Sequence, residues 1–140
     1  MKIVKKNFKD CYSLWSRFQS LLNHEMDKVA NFPCDEEEDL AGLYWKRIKQ
    51  GQSFVLFAYE DNIPVGMICY REQKKRIDIR DFYVLPEYRN KGIGKKLLSE
   101  VVKIRNNRIL YVGTVGGNER VLKLYQEFGF KILGYELQRS

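Results

Sequence analysis

Apolar positions recur at helical spacing from Phe8 onward, with Phe8, Cys11, Tyr12, Trp15, Phe18 and Leu22 on one stripe. Before it, Lys2 to Lys5 alternates weakly and predicts a short strand. His24 falls near the predicted end of this helix, where a surface or helix-end position is expected rather than catalysis. Pro33 breaks the pattern between Asn31 and Cys34. A second helix is expected beyond it. Asp35 caps it, Glu36 to Asp39 place negative charge at its positive end, and Leu40, Leu43, Tyr44 and Ile48 form its buried face. Lys46, Arg47 and Lys49 load its last turns, and Gly51 stops it.

After Gly51 the period becomes that of strands. Ser53 to Glu60 and Val65 to Arg71 flank Asp61-Asn62, which predicts a hairpin. A third strand, Arg76 to Leu85, follows the polar turn Glu72 to Lys75. Within it Ile77 and Ile79 share one face while Phe82 and Val84 have the opposite parity. A phase slip inside one strand predicts a β-bulge. Ile93, Leu97, Leu98, Val101 and Val102 then give one face of a helix running to about Arg105. Ile109 to Val115 predicts a strand reached by a helical crossover, and so parallel to its predecessor. Gly116-Gly117 opens a turn, Asn118 caps a helix with the stripe Val121, Leu122, Tyr125 and Phe128, and Gly129 ends it with Phe130 as the contact beyond. A last strand is expected from Phe130 to about Leu137. No repeat or linker divides residues 1–140, so one α/β domain is expected.

Composition narrows the class. A hydrophobic share of 44% and a charged share of 31% are those of a soluble globular protein able to bury a core. No apolar run approaches the roughly 20 residues of a membrane helix, and no signal peptide is read, so a cytoplasmic location is expected. Cys11, Cys34 and Cys69 lack metal-ligand spacing, and reduced, packed thiols without a metal are the expectation. A net charge of +7 suits an anionic partner, either nucleic acid or a polyanionic cofactor.

One junction carries candidate chemistry. Arg89-Asn90-Lys91-Gly92-Ile93-Gly94-Lys95 joins the third predicted strand to its following helix. Gly92 and Gly94 allow close backbone approach, the helix start presents unpaired N–H groups, and Arg89, Lys91, Lys95 and Lys96 add cations. That combination describes a phosphate or pyrophosphate site, although a basic solvated turn has the same residues.

The element order and two motifs resemble the GNAT superfamily of acyl-CoA N-acyltransferases. The motifs are Arg89 to Gly94, as Arg/Gln-x-x-Gly-x-Gly/Ala, and Asn118 followed by Leu124-Tyr125 and Phe128-Gly129-Phe130. The resemblance implies a mixed, largely antiparallel central sheet with helices on both faces and bulged, splayed strands around the cofactor site. It implies acetyl-CoA as co-substrate, held through Phe82, Tyr83, Val84, Arg89, Asn90, Lys91, Gly92, Ile93, Gly94, Lys95 and Asn118. It also implies transfer of the acetyl group to a primary amine by direct attack, with Tyr125 as proton donor to the leaving thiolate. On residues alone Tyr125 also reads as a core aromatic of its helix stripe. Asp81 lies where some members carry an acidic base, while a salt bridge to Arg80 is its structural alternative. A water relay, Glu60 or no side-chain base stay open, since the next strand offers only Gly113 and Thr114. Members usually carry one more strand at the end, whose place Tyr135 to Arg139 would take.

The leading expectation is therefore an N-acetyltransferase acting on a small molecule or protein, as a monomer or homodimer, without membrane or nucleic-acid partners. The run Asp35 to Asp39 either recognises a cationic acceptor or merely suits its helix end. A basic nucleic-acid-binding module and a catalytically silent acyl-CoA sensor are the alternatives.

Overall fold

The structure, a computed structural model, describes residues 1–30, 52–113 and 119–134. The predicted second helix with its acidic run, Cys34, Thr114, Asn118 and Tyr135 to Arg139 lie outside the described residues. Strand β1 (Lys2–Asn7) leads through a 3-10 turn (Phe8–Asp10) into helix α1 (Tyr12–Ala30). Strands β2 (Gln52–Glu60), β3 (Ile63–Glu72) and β4 (Arg76–Val84) follow, then a 3-10 turn (Pro86–Tyr88) and helix α2 (Ile93–Ile104). Strand β5 (Ile109–Val112) and helix α3 (Glu119–Glu127) complete the described elements.

The sheet runs in sequence order, β1-β2-β3-β4-β5. The first three pairings are antiparallel and the β4–β5 pairing is parallel, as the helical crossover predicts. Asp61 and Asn62 both have positive φ, 48° and 65°, which the type I′ hairpin turn between β2 and β3 requires. Opposite Cys69 and Tyr70 of β3 stand Asp81 and Ile79 of β4, so Arg80 is the extra residue of a bulge. The bulge restores Phe82 and Val84 to the face that Ile77 and Ile79 occupy. It also marks where β4 leaves β5, whose pairing stops at Ile79 opposite Val112.

The two sheet faces bury separate clusters. Ile77, Ile79, Ile93, Leu97, Leu98, Val101 and Tyr125 pack on one face beneath α2 and α3. Phe8, Cys11, Trp15 and Phe18 pack on the other against Val55, Phe57, Met67 and Tyr83. Helices on both sides of a largely antiparallel sheet match the expected class. Tyr12 departs from its predicted stripe: it lies at the edge, 38% exposed, with its ring 6.0 Å from that of Trp15. In α3, Leu124 rather than Leu122 joins the core beside Val121, Tyr125 and Phe128, because positions i, i+3, i+4 and i+7 share a face. His24 is exposed, but α1 continues to Ala30, so it does not sit at a helix end.

Helix α3 ends as predicted. Gly129 takes φ 89°, and the N–H groups of Gly129 and Phe130 donate to the carbonyls of Gln126 and Tyr125. The Phe130 ring then rests 5.3 Å from the Tyr125 ring, the apolar contact of this helix stop. The predicted last strand does not start at Phe130. Its N–H is committed to closing α3, and residues 130–134 form no strand. The rest of that segment lies outside the described residues.

Candidate functional site

The end of β4, the glycine loop, α1 and α3 enclose a groove of about 440 Å³. Its walls bring together most of the predicted binding residues: Phe82, Tyr83, Val84, Arg89, Asn90, Gly92, Ile93, Gly94 and Lys95. Lys91 stands outside the wall with its ammonium 5.3 Å from the Tyr88 ring. The wall also includes Leu22, Glu25 and Met26 of α1, and Arg120 and Leu124 of α3.

Each glycine of the loop has its own physical reason. Gly92 caps α2 at φ 82° and accepts the first helical bond from Lys96 N–H, while a Cβ there would meet nothing within 4 Å. Backbone conformation demands this glycine. A Cβ on Gly94 would lie 3.3 Å from the Phe82 ring. Gly94 thus admits close packing of α2 on β4 while it lines the groove. Helix α2 has no acidic residue in its first turn and carries Lys95 and Lys96 there. Cations at a helix N-terminus oppose its dipole, so this arrangement favours an anion in the groove.

Arg89 differs most from expectation. Its Nε donates to Val84 O at 2.8 Å, its Nη2 to Glu25 Oε2 at 2.6 Å, and its guanidinium lies 5.3 Å from the Tyr83 ring centroid. Arg120 Nη2 stands 3.8 Å from the other Glu25 oxygen. Burial pushes the Glu25 carboxyl up, but hydrogen bonding and charge from Arg89, with the charge of Arg120, hold it below its usual range. Burial, then the Glu25 charge, raises the Tyr83 phenol above its usual range.

Neither predicted catalytic side chain is part of the groove wall. Asp81 is 5% exposed and faces α1, where Trp15 Nε1 donates to Oδ2 at 3.4 Å. The Gln19 amide, with its nitrogen toward the carboxylate, donates to Oδ1 at 2.8 Å. The alternative role for Asp81, a salt bridge to Arg80, does not form among the described residues, because the bulge leaves Arg80 exposed and turns Asp81 toward α1. Burial raises the Asp81 pKa to about 6 against the lowering effect of the Trp15 and Gln19 bonds. Tyr125 is 4% exposed, its ring tilted at 47° and 6.0 Å from the Phe82 ring, which does line the groove. Burial and then the nearby Asp81 charge push its phenol well above the ordinary range.

Glu25 and Arg120 escaped the sequence reading, although each left a trace. Glu25 continues the spacing of Trp15, Phe18 and Leu22, placing a carboxylate on an apolar stripe. Arg120 is a cation in the first turn of α3, against its dipole.

Residues 10–130 match the Acetyltransferase (GNAT) family. N-alpha-acetyltransferase 50 of Danio rerio is 31% identical over 98 residues, which cover 64% of this chain and 58% of that protein. The chain thus matches under two thirds of that relative's length. Among solved structures, a tetramutant of the BH1408 protein of Bacillus halodurans superposes with a TM-score of 0.79 at 16% identity, covering 100% of this chain and 99% of that one. AAC(6')-Iy, in complex with the bisubstrate analog CoA-S-monomethyl-acetylneamine, gives a TM-score of 0.70 at 16% identity, with 100% and 98% covered. At such identities these structures are alike in fold. With the family match spanning most of its length, the chain belongs to the GNAT acetyltransferase family.

Proposed function

We propose that this chain is an acyl-CoA-dependent N-acetyltransferase, moving an acetyl group from acetyl-CoA to a primary amine by direct attack. The observation that carries the reading is the groove itself. It runs from the cation-rich start of α2 to the stretch of β4 past the bulge, where β5 no longer pairs. The residues present fit acetyl-CoA. The first amides of α2 and Lys95 would hold its pyrophosphate, and the backbone of Phe82 to Val84 would hold its pantetheine arm. When bound, acetyl-CoA supplies an activated thioester. Tyr125 Oη holds the proton that would pass to the sulfur as it leaves. The proton that an ammonium acceptor must lose would reach the Asp81 carboxylate through a water relay, since Asp81 stands behind the groove wall. A relative named as an N-alpha-acetyltransferase, and a structure of like fold named as an aminoglycoside N-acetyltransferase, support nitrogen as the acceptor atom.

Calorimetry with CoA tests the groove. The wild type should bind, and Gly92→Asp should abolish binding through an anion facing the phosphates and strain at φ 82°. Unchanged affinity in a folded Gly92→Asp protein removes the assignment. The second reading, a silent acyl-CoA sensor, is favoured by one feature: Tyr125 and Asp81 stand behind the groove wall. It predicts CoA binding without amine-dependent turnover.

A further inference from the structure

Glu25 joins segments that are far apart in the chain. Its carboxylate, on α1, meets Arg89 at 2.6 Å and Arg120 of α3 at 3.8 Å. Arg89 in turn holds Val84 O at the end of β4. The Arg89 side chain is 17% exposed, and its planar fork is fixed on two edges by different segments. We propose that Glu25 is a positioning residue for the 89–95 loop, acting through Arg89 to fix the anion-binding backbone against β4. The inference rests on the reading of the groove as the CoA site.

A carboxylate beside an anion site has two opposite effects. As a bare negative charge it repels the ligand, and removing it tightens binding. As an anchor it holds the loop amides in place, and removing it weakens binding. The geometry points to the anchor, because the Glu25 oxygens face the two guanidiniums.

The experiment measures CoA affinity by calorimetry in wild type, Glu25→Gln, Glu25→Asp, Arg89→Ala and the Glu25→Gln/Arg89→Ala double variant. It adds hydrogen exchange at the Tyr88, Arg89 and Lys96 amides of the unliganded proteins, which bond to Leu85, Pro86 and Gly92 carbonyls. Positioning predicts that Glu25→Gln weakens CoA roughly tenfold, within the range for groups sharing one network. The double variant should bind no worse than Arg89→Ala alone. Glu25→Asp, which keeps the charge but withdraws it from Arg89, should also bind more weakly. The three amides should exchange faster in Glu25→Gln while the β2 and β3 amides do not change. Tighter or unchanged CoA binding, additive losses, or wild-type affinity in Glu25→Asp would overturn the proposal. If the wild type binds no CoA, the functional reading fails. The exchange data then decide the positioning role alone, with unchanged protection refuting it. Should Glu25→Gln not fold, Glu25→Asp carries the same comparison.

Discussion

Asp81 and Tyr125 are both buried, and each allows a structural and a catalytic role that substitutions can separate. Burial holds the folded Asp81 pKa at about 6, above the ordinary 3.8. The folded state therefore binds this proton more tightly than the unfolded chain. The Asp81 contribution to stability falls as pH rises from about 4 to about 6, and its full penalty is present above that. Asp81→Asn should stabilise the protein at pH 7.5 by about 1–3 kcal/mol, with the difference vanishing below about pH 4. Urea melts at the two pH values check this, and a pH-independent difference contradicts it. If Asp81 is the base, the same variant loses turnover, together with the acid limb of the rate profile near pH 6. Tyr125→Phe keeps the ring against Phe82 and Phe130 and removes the proton donor. Turnover should fall roughly 10²–10⁴-fold while the melting temperature holds. Tyr125→Ala should instead cost about 3–5 kcal/mol through the cavity it leaves. Full activity of Tyr125→Phe would leave Tyr125 as a core aromatic only. Arg89 shows the limit of reading single residues: its place in a glycine loop suggested an anion ligand. Its strongest bond goes to a carboxylate 64 positions away, which no local pattern encodes.

At the scale of elements, the start of α2 sets the groove. Gly94→Val should push α2 away from the Phe82 ring, lowering both stability and CoA affinity, whereas wild-type values for both would show that the 3.3 Å approach is relieved elsewhere. The bulge in β4 was legible because parity along a strand is strict: Ile79 and Phe82 cannot share a face without an extra residue. The hairpin turn and the Gly129 stop were legible for a similar reason, since each needs positive φ at a residue type that tolerates it. What Asp81 faces was not legible. The bulge aims its side chain, but the partner comes from how α1 crosses the sheet, a tertiary result that sets Trp15 and Gln19 under it.

For the whole molecule, the charge of +7 has two candidate uses, and salt distinguishes them. CoA affinity should fall with ionic strength, while DNA retention stays marginal at physiological salt; tight DNA binding that CoA does not displace would reverse the assignment. No helix among the described residues is long and apolar enough to cross a membrane. The measurement that bears most directly on the account is thiol release from acetyl-CoA across a panel of small amines and peptide N-termini. An N-acetyltransferase should give release that requires both the protein and an amine, with the acetyl group recovered on the amine nitrogen. CoA binding in the groove with no amine-dependent release from any member of the panel would contradict that reading.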